Sequence, residues 1–171
     1  MTMVSKKAPH WSSPALINGE RGNLSSEDLA GSWYALYFWP FDFTGICHSE
    51  VLGFMALENR FAEAGIKLVG ASCNTIHAHQ AWFANTEAFP EGGPAHPILA
   101  DNTRRVSKAF DVYSKKIGCA YRANVLVSPD GIVMSLGVNF LPVARDPQDV
   151  LTTALAFSGP GSCSVPGRID L

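Results

Sequence analysis

Trp33-Tyr34-Ala35-Leu36-Tyr37-Phe38, followed after Trp39 by Pro40-Phe41-Asp42-Phe43-Thr44-Gly45-Ile46-Cys47-His48-Ser49-Glu50, is the stretch on which the fold of this chain turns. An unbroken aromatic and aliphatic run of this length suits a strand buried on both faces. Pro40 stops the strand, because proline has no N–H to continue a ladder. From about Thr44 the apolar positions Val51, Phe54, Met55, Phe61 and Ala62 recur near helical spacing, with Glu58 at the border of the stripe and Gly65 as the stop. In open α/β folds, chemistry sits in the loops that follow strands. Thr44 is a suitable N-cap, which puts Cys47 in the first helical turn. Unpaired N–H groups and the helix dipole favour a thiolate there. Cys47 is the candidate nucleophile.

Upstream, residues 1 to 13 read as an extended or loosely packed lead-in. Pro14 to Glu20 contains Asn18-Gly19, the signal of a type I′ hairpin, and Ser25-Ser26-Glu27-Asp28-Leu29 resembles a short helix start. Downstream, Ile66 to Ser72 reads as a strand, and a helix carrying Ala78, Ala81, Trp82 and Phe83 ends before Pro90. Pro97 to Ala100 forms a short strand, and Asp101 or Asn102 caps a helix to about Phe110. Residues 123 to 128 and 132 to 138 flank the turn Ser128-Pro129-Asp130-Gly131, and Asp146-Pro147 opens a last helix to about Phe157. Strands alternating with helices predict an α/β fold: a central mixed sheet, parallel in its βαβ units and antiparallel in the hairpin, with helices on both faces. One domain is expected over residues 1–157, with a flexible Gly/Pro/Ser-rich tail over 158–171 that carries Cys163.

At 171 residues and a net charge of −2, the chain offers no basic surface of the kind nucleic acid requires. Its basic amino terminus lacks an apolar stretch behind it, and no run is long and apolar enough to span a membrane, so a cytoplasmic protein is expected. Cys47, Cys73, Cys119 and Cys163 form no CxxC pair. In a reducing compartment, disulfides that do form are usually catalytic or redox-sensing. His77 and His79 without further ligands give weak support for a metal, and none is expected.

Pro40-x-x-x-Thr44-x-x-Cys47, extended by Asp42-Phe43 and Glu50, resembles the signature of the peroxiredoxins. So do His79-Gln80-Ala81-Trp82, Ala120-Tyr121-Arg122-Ala123, Leu141-Pro142-Val143-Ala144-Arg145 and Gly161-Ser162-Cys163-Ser164-Val165-Pro166. The likeness, to the typical two-cysteine alkyl hydroperoxide reductase type, covers roughly residues 14 to 166. It implies a thioredoxin-like fold and a thiol-dependent peroxidase with no cofactor. Cys47 would be the nucleophile, Thr44 a cap or a hydroxyl aimed at sulfur or peroxide, Pro40 a shield, and Arg122 the stabiliser of charge. Glu50 and Arg145 would orient Arg122. Cys163 of a partner subunit would resolve the sulfenic acid. The resemblance also implies a homodimer, with possible rings of five dimers (a decamer), and a thioredoxin-like or flavoprotein disulfide reductase as electron donor. Two other readings remain: a one-cysteine peroxidase resolved by an external thiol, and a redox-regulated holdase chaperone. His48 stands where that family usually has proline, either as a positive neighbour of Cys47 or as a capping residue.

Overall fold

The computed structural model describes residues 2–159. In chain order its elements are β1 (Ser12–Ile17), β2 (Glu20–Ser25), β3 (Trp33–Phe38), α1 (Gly45–Glu63), β4 (Ile66–Ser72) and α2 (Ile76–Phe83). There follow β5 (Ile98–Ala100), α3 (Arg105–Ala109), β6 (Tyr113–Ser114), β7 (Cys119–Ala120), β8 (Arg122–Val127), β9 (Val133–Asn139) and α4 (Pro147–Ser158). Seven strands form one sheet in the order β2-β1-β5-β4-β3-β8-β9. The pairs β3–β4 and β4–β5 are parallel, as their crossover helices require, and the remaining pairs are antiparallel. This is the expected mixed sheet.

β3 shows why an unbroken apolar run was needed. Side chains alternate across a strand, so Tyr34, Leu36 and Phe38 enter one core with Val106 and Phe110 of the α3 layer. Ala35 and Tyr37, with Trp39 beyond the strand end, enter the other, against Phe54 and Phe61 of α1, Trp82 of α2 and Leu151 of α4. Helices therefore cover both faces. The same alternation on β8 sends Ala123, Val125 and Val127 to the α3 side and Leu126 to the α1 side. Arg122 has Leu126's parity and faces α1.

The Asn18-Gly19 turn forms as expected, both residues having positive φ (52° and 79°), and it closes a hairpin at the sheet edge. Asp146 caps α4 by accepting from the Gln148 N–H, and Pro147 occupies the first turn. Three expectations need correction. The lead-in is not loose: Ser5 and Ala8 donate to the Val133 and Gly131 carbonyls, and Trp11 is buried. Ala62 is exposed, because the buried face of α1 runs through Cys47, Glu50, Val51, Phe54 and Phe61. The helix after β5 starts only at Arg105; the Asp101 carboxylate reaches forward to accept from the N–H groups of Val106 and Ser107. The β6–β7 ribbon was not foreseen, its strands being too short to leave a period in the sequence.

Candidate active site

The site lies beyond the carboxyl end of β3. Trp39 prolongs the strand by one bond to the Ala71 carbonyl, Pro40 follows as a buried residue, and the chain turns into α1. Phe43 makes that turn with φ 58°, the left-handed region in which a bulky side chain is uncommon. Its ring stays 59% exposed, tilted over Trp82 at 6.1 Å between centroids. Thr44 precedes α1 as expected, but its hydroxyl does not cap the helix. It donates instead to the Phe41 carbonyl at 3.0 Å, while the Thr44 carbonyl accepts the His48 N–H.

Cys47 sits in the first turn of α1 and is 0% exposed. Arg122, at the start of β8, reaches across the sheet end and brings Nη1 to 3.3 Å from the sulfur. The same nitrogen donates to Glu50 Oε2 at 2.7 Å, and Arg122 Nε donates to the Leu141 carbonyl at 2.7 Å. Glu50, one turn after Cys47 on the same helix face, is fully engaged. Its Oε1 accepts from the backbone N–H and Nε of Arg145 at 2.7 and 3.2 Å, and its Oε2 accepts from Arg145 Nη2 at 3.3 Å. Arg145 also donates to the Ala123 carbonyl. Burial works against the charge on Arg122, but the hydrogen bond to Cys47 and the Glu50 carboxylate outweigh it and hold the guanidinium more firmly protonated than usual. For Arg145 burial prevails over Glu50, and its ionisation moves down.

Residues 4–136 match the AhpC/TSA family. The chain belongs to that family. It is 34% identical over 157 residues to the mitochondrial thioredoxin-dependent peroxide reductase of Rattus norvegicus, covering 90% of this chain and 60% of that one. Peroxiredoxin-4 of Dictyostelium discoideum is 34% identical over 156 residues, with the same shares covered. The chain thus spans 60% of the length of these relatives. Among solved structures, the reduced 2-Cys peroxiredoxin of Plasmodium vivax superposes with a TM-score of 0.89 at 28% identity, over 99% of this chain and 92% of that one. Enterococcus faecalis AhpC gives 0.86 at 26%, over 96% and 100%. The thioredoxin-like fold expected from the sequence is the fold of this AhpC/TSA chain.

Of the residues singled out in advance, Cys47, Glu50, Arg122 and Arg145 converge, with Pro40 and Thr44 on the loop beside them. Cys163 lies outside the described residues. His48 turns away from the thiol: its Nε2 donates to the Ala88 carbonyl at 2.7 Å and its ring meets Phe89 edge-on at 5.0 Å. It tethers α1 to the segment after α2. His77 accepts from Arg21 on the surface. His79 is buried with its Nδ1 2.8 Å from Asp42 Oδ2, while Asp42 Oδ1 accepts from the Trp39 indole at 2.9 Å. Among the described residues no His/Cys/Asp/Glu cluster has metal-ligand geometry. The Asp42–His79 pair that anchors the loop was missed as a pair. Both residues lie inside the motifs named above, but the distance along the chain between positions 42 and 79 hides a contact made beyond the ends of two adjacent strands. Trp82 is buried in the core. Burial raises the Cys73 thiol and pushes that of Cys119 up to about 11, which leaves both poor nucleophiles.

Proposed function

We propose that this chain is a thiol peroxidase that reduces hydrogen peroxide and small organic hydroperoxides, with Cys47 as the nucleophile. The supporting observation is the Arg122 nitrogen shared between the Cys47 sulfur and Glu50. Among the described residues, two buried guanidiniums face one buried carboxylate, which leaves one positive charge uncompensated beside the sulfur. A thiolate completes the balance, and uncompensated buried charge is costly.

The thiolate attacks one peroxide oxygen along the O–O axis. The S–O bond forms as the O–O bond breaks, Cys47 becomes a sulfenic acid, and the other oxygen leaves as hydroxide or alkoxide and takes a proton. Arg122 N–H groups, fixed by Glu50 and Leu141, donate to the charge developing on that oxygen. The Thr44 hydroxyl donates its hydrogen bond to the Phe41 carbonyl, so its lone pairs are free to accept the peroxide O–H. Pro40 closes one side of the pocket.

The sulfenic acid then condenses with the thiol of Cys163 from a partner subunit, releasing water and forming an intersubunit disulfide. A thioredoxin-like or flavoprotein disulfide reductase returns two electrons and two protons. A homodimer, with decamers built from it, is supported by apolar residues left exposed in the single chain. These are Phe41, Phe43 and Ile46 beside the site, and Val138, Phe140 and Val143 on and after the edge strand β9. The test is a stoichiometric dose of hydrogen peroxide followed by non-reducing electrophoresis. A dimer band that disappears in Cys163→Ser supports resolution by the tail. A wild type that stays monomeric, with its sulfenic acid trapped on Cys47, supports the one-cysteine enzyme.

A further inference from the structure

Tyr37, His96 and Glu58 form a polar chain on the far side of Arg145 that the chemistry above does not use. Tyr37 is wholly buried, and its hydroxyl lies 2.9 Å from His96 Nε2. His96, on the approach to β5, has Nδ1 2.5 Å from Glu58 Oε1 on α1. The same carboxylate oxygen accepts from the Ala95 N–H at 3.0 Å, which clamps the backbone carrying His96.

Proton bookkeeping leaves one arrangement that satisfies all three groups. The phenol donates to Nε2, and Nδ1–H donates to the carboxylate, so the imidazole is neutral. Burial lowers the His96 ionisation despite Glu58, and lies in the same direction. Glu58 and His96 edge a cleft of about 560 Å³ shared with Leu29, Ile66 and Pro97, so the chain begins near solvent.

Its inner end is the Tyr37 ring. That ring stacks on Phe54 with centroids 3.8 Å apart, and the Arg145 guanidinium sits 5.7 Å from the Tyr37 centroid and 5.6 Å from that of Phe54. Gly70, opposite Tyr37 in the β3–β4 register, is what admits the ring: a Cβ there would lie 2.9 Å from Tyr37 Cζ. Arg145 in turn holds both oxygens of Glu50, and Glu50 holds the Arg122 nitrogen that faces sulfur.

We propose that Glu58, His96 and Tyr37 are positioning residues for the Cys47 reaction. They fix the aromatic floor beneath Arg145 and, through Arg145 and Glu50, the aim of Arg122 at the sulfur. This rests on the peroxidase reading. Tyr37→Phe keeps the ring and deletes only the link to His96, and Glu58→Gln deletes the charge that orients the imidazole. Each variant is expected to move the pH profile of Cys47 alkylation by iodoacetamide to higher pH. Each should also slow oxidation of Cys47 by hydrogen peroxide roughly threefold to tenfold, the size of effect that indirect coupling carries. Because the three act in series, the double variant should be no slower than about the slower single variant. Wild-type profiles and rates in Tyr37→Phe and Glu58→Gln, with only a lowered unfolding midpoint, would overturn the proposal and leave the chain a means of satisfying a buried phenol. Alkylation needs no peroxide. A displaced profile in a protein that does not consume peroxide would therefore uphold the coupling and overturn the peroxidase reading alone.

Discussion

Arg122 Nη1 lies 3.3 Å from Cys47 Sγ, although 75 residues separate the two in sequence. The contact exists because β8 pairs antiparallel with β3, with Ala123 opposite Phe38, so that Arg122 falls level with the point where the chain leaves the sheet toward α1. Parity on β8 then sends its side chain to the α1 face. Glu50 fixes the guanidinium from one side and the Leu141 carbonyl from the other.

Arg122→Lys keeps a positive charge but loses the planar fork that serves sulfur, Glu50 and Leu141 together. The rate of Cys47 oxidation by hydrogen peroxide, followed by rapid mixing, should fall about a hundredfold, in the range seen when one fixed donor to a developing oxyanion is removed. Circular dichroism should show the fold intact.

Glu50→Gln removes the one carboxylate between two buried arginines. Breaking a buried ion pair from one side costs roughly 3–5 kcal/mol, because the remaining charge has no partner. Urea unfolding should show that loss. Glu50→Gln with Arg145→Met should lose less than the sum of the single substitutions, since the second change removes one of the stranded charges.

Much of this arrangement was legible beforehand. The β3 run, the Asn18-Gly19 turn, the cap Asp146 and the helix start at Cys47 are local matters of period and turn chemistry, which the chain writes in contiguous residues. The convergence of Cys47, Glu50, Arg122 and Arg145 was expected from a resemblance, since no local pattern brings β8 to the end of β3. What escaped notice depends on the partner alone. Trp11 looks like an isolated aromatic in a polar stretch until the segment pairs with Gly131 and Val133. Thr44 has the right position and residue type for a cap, yet the positive φ of Phe43 brings the Phe41 carbonyl within reach of its hydroxyl. Tyr37 read as one more apolar residue of a buried strand. Its hydroxyl matters only because the segment leading into β5 brings His96 to it.

His48→Ala should leave the peroxide rate within about twofold of wild type, because the imidazole is committed to Ala88 and Phe89. Loss of that hydrogen bond should cost about 1 kcal/mol in urea unfolding.

Alkali should weaken the fold through Cys119. Its thiol stays neutral in the folded chain, with ionisation pushed from 9.0 up to about 11 by burial, whereas the unfolded chain releases that proton first. Stability is therefore complete below about pH 9 and declines as the pH rises toward about 11. Urea titrations from roughly pH 8, below the ordinary thiol range, up to about 11 should show the decline. Cys119→Ala should make it shallower, leaving the part due to Cys73, Tyr34 and Tyr37, which burial shifts in the same direction.

The most direct test of the account is the second-order rate of hydrogen peroxide consumption by the reduced 171-residue chain and by its Cys47→Ser variant. The account predicts rapid consumption by the wild type, with one sulfenic acid appearing at Cys47, and no consumption above the uncatalysed rate in Cys47→Ser. Consumption at the wild-type rate in Cys47→Ser would contradict it.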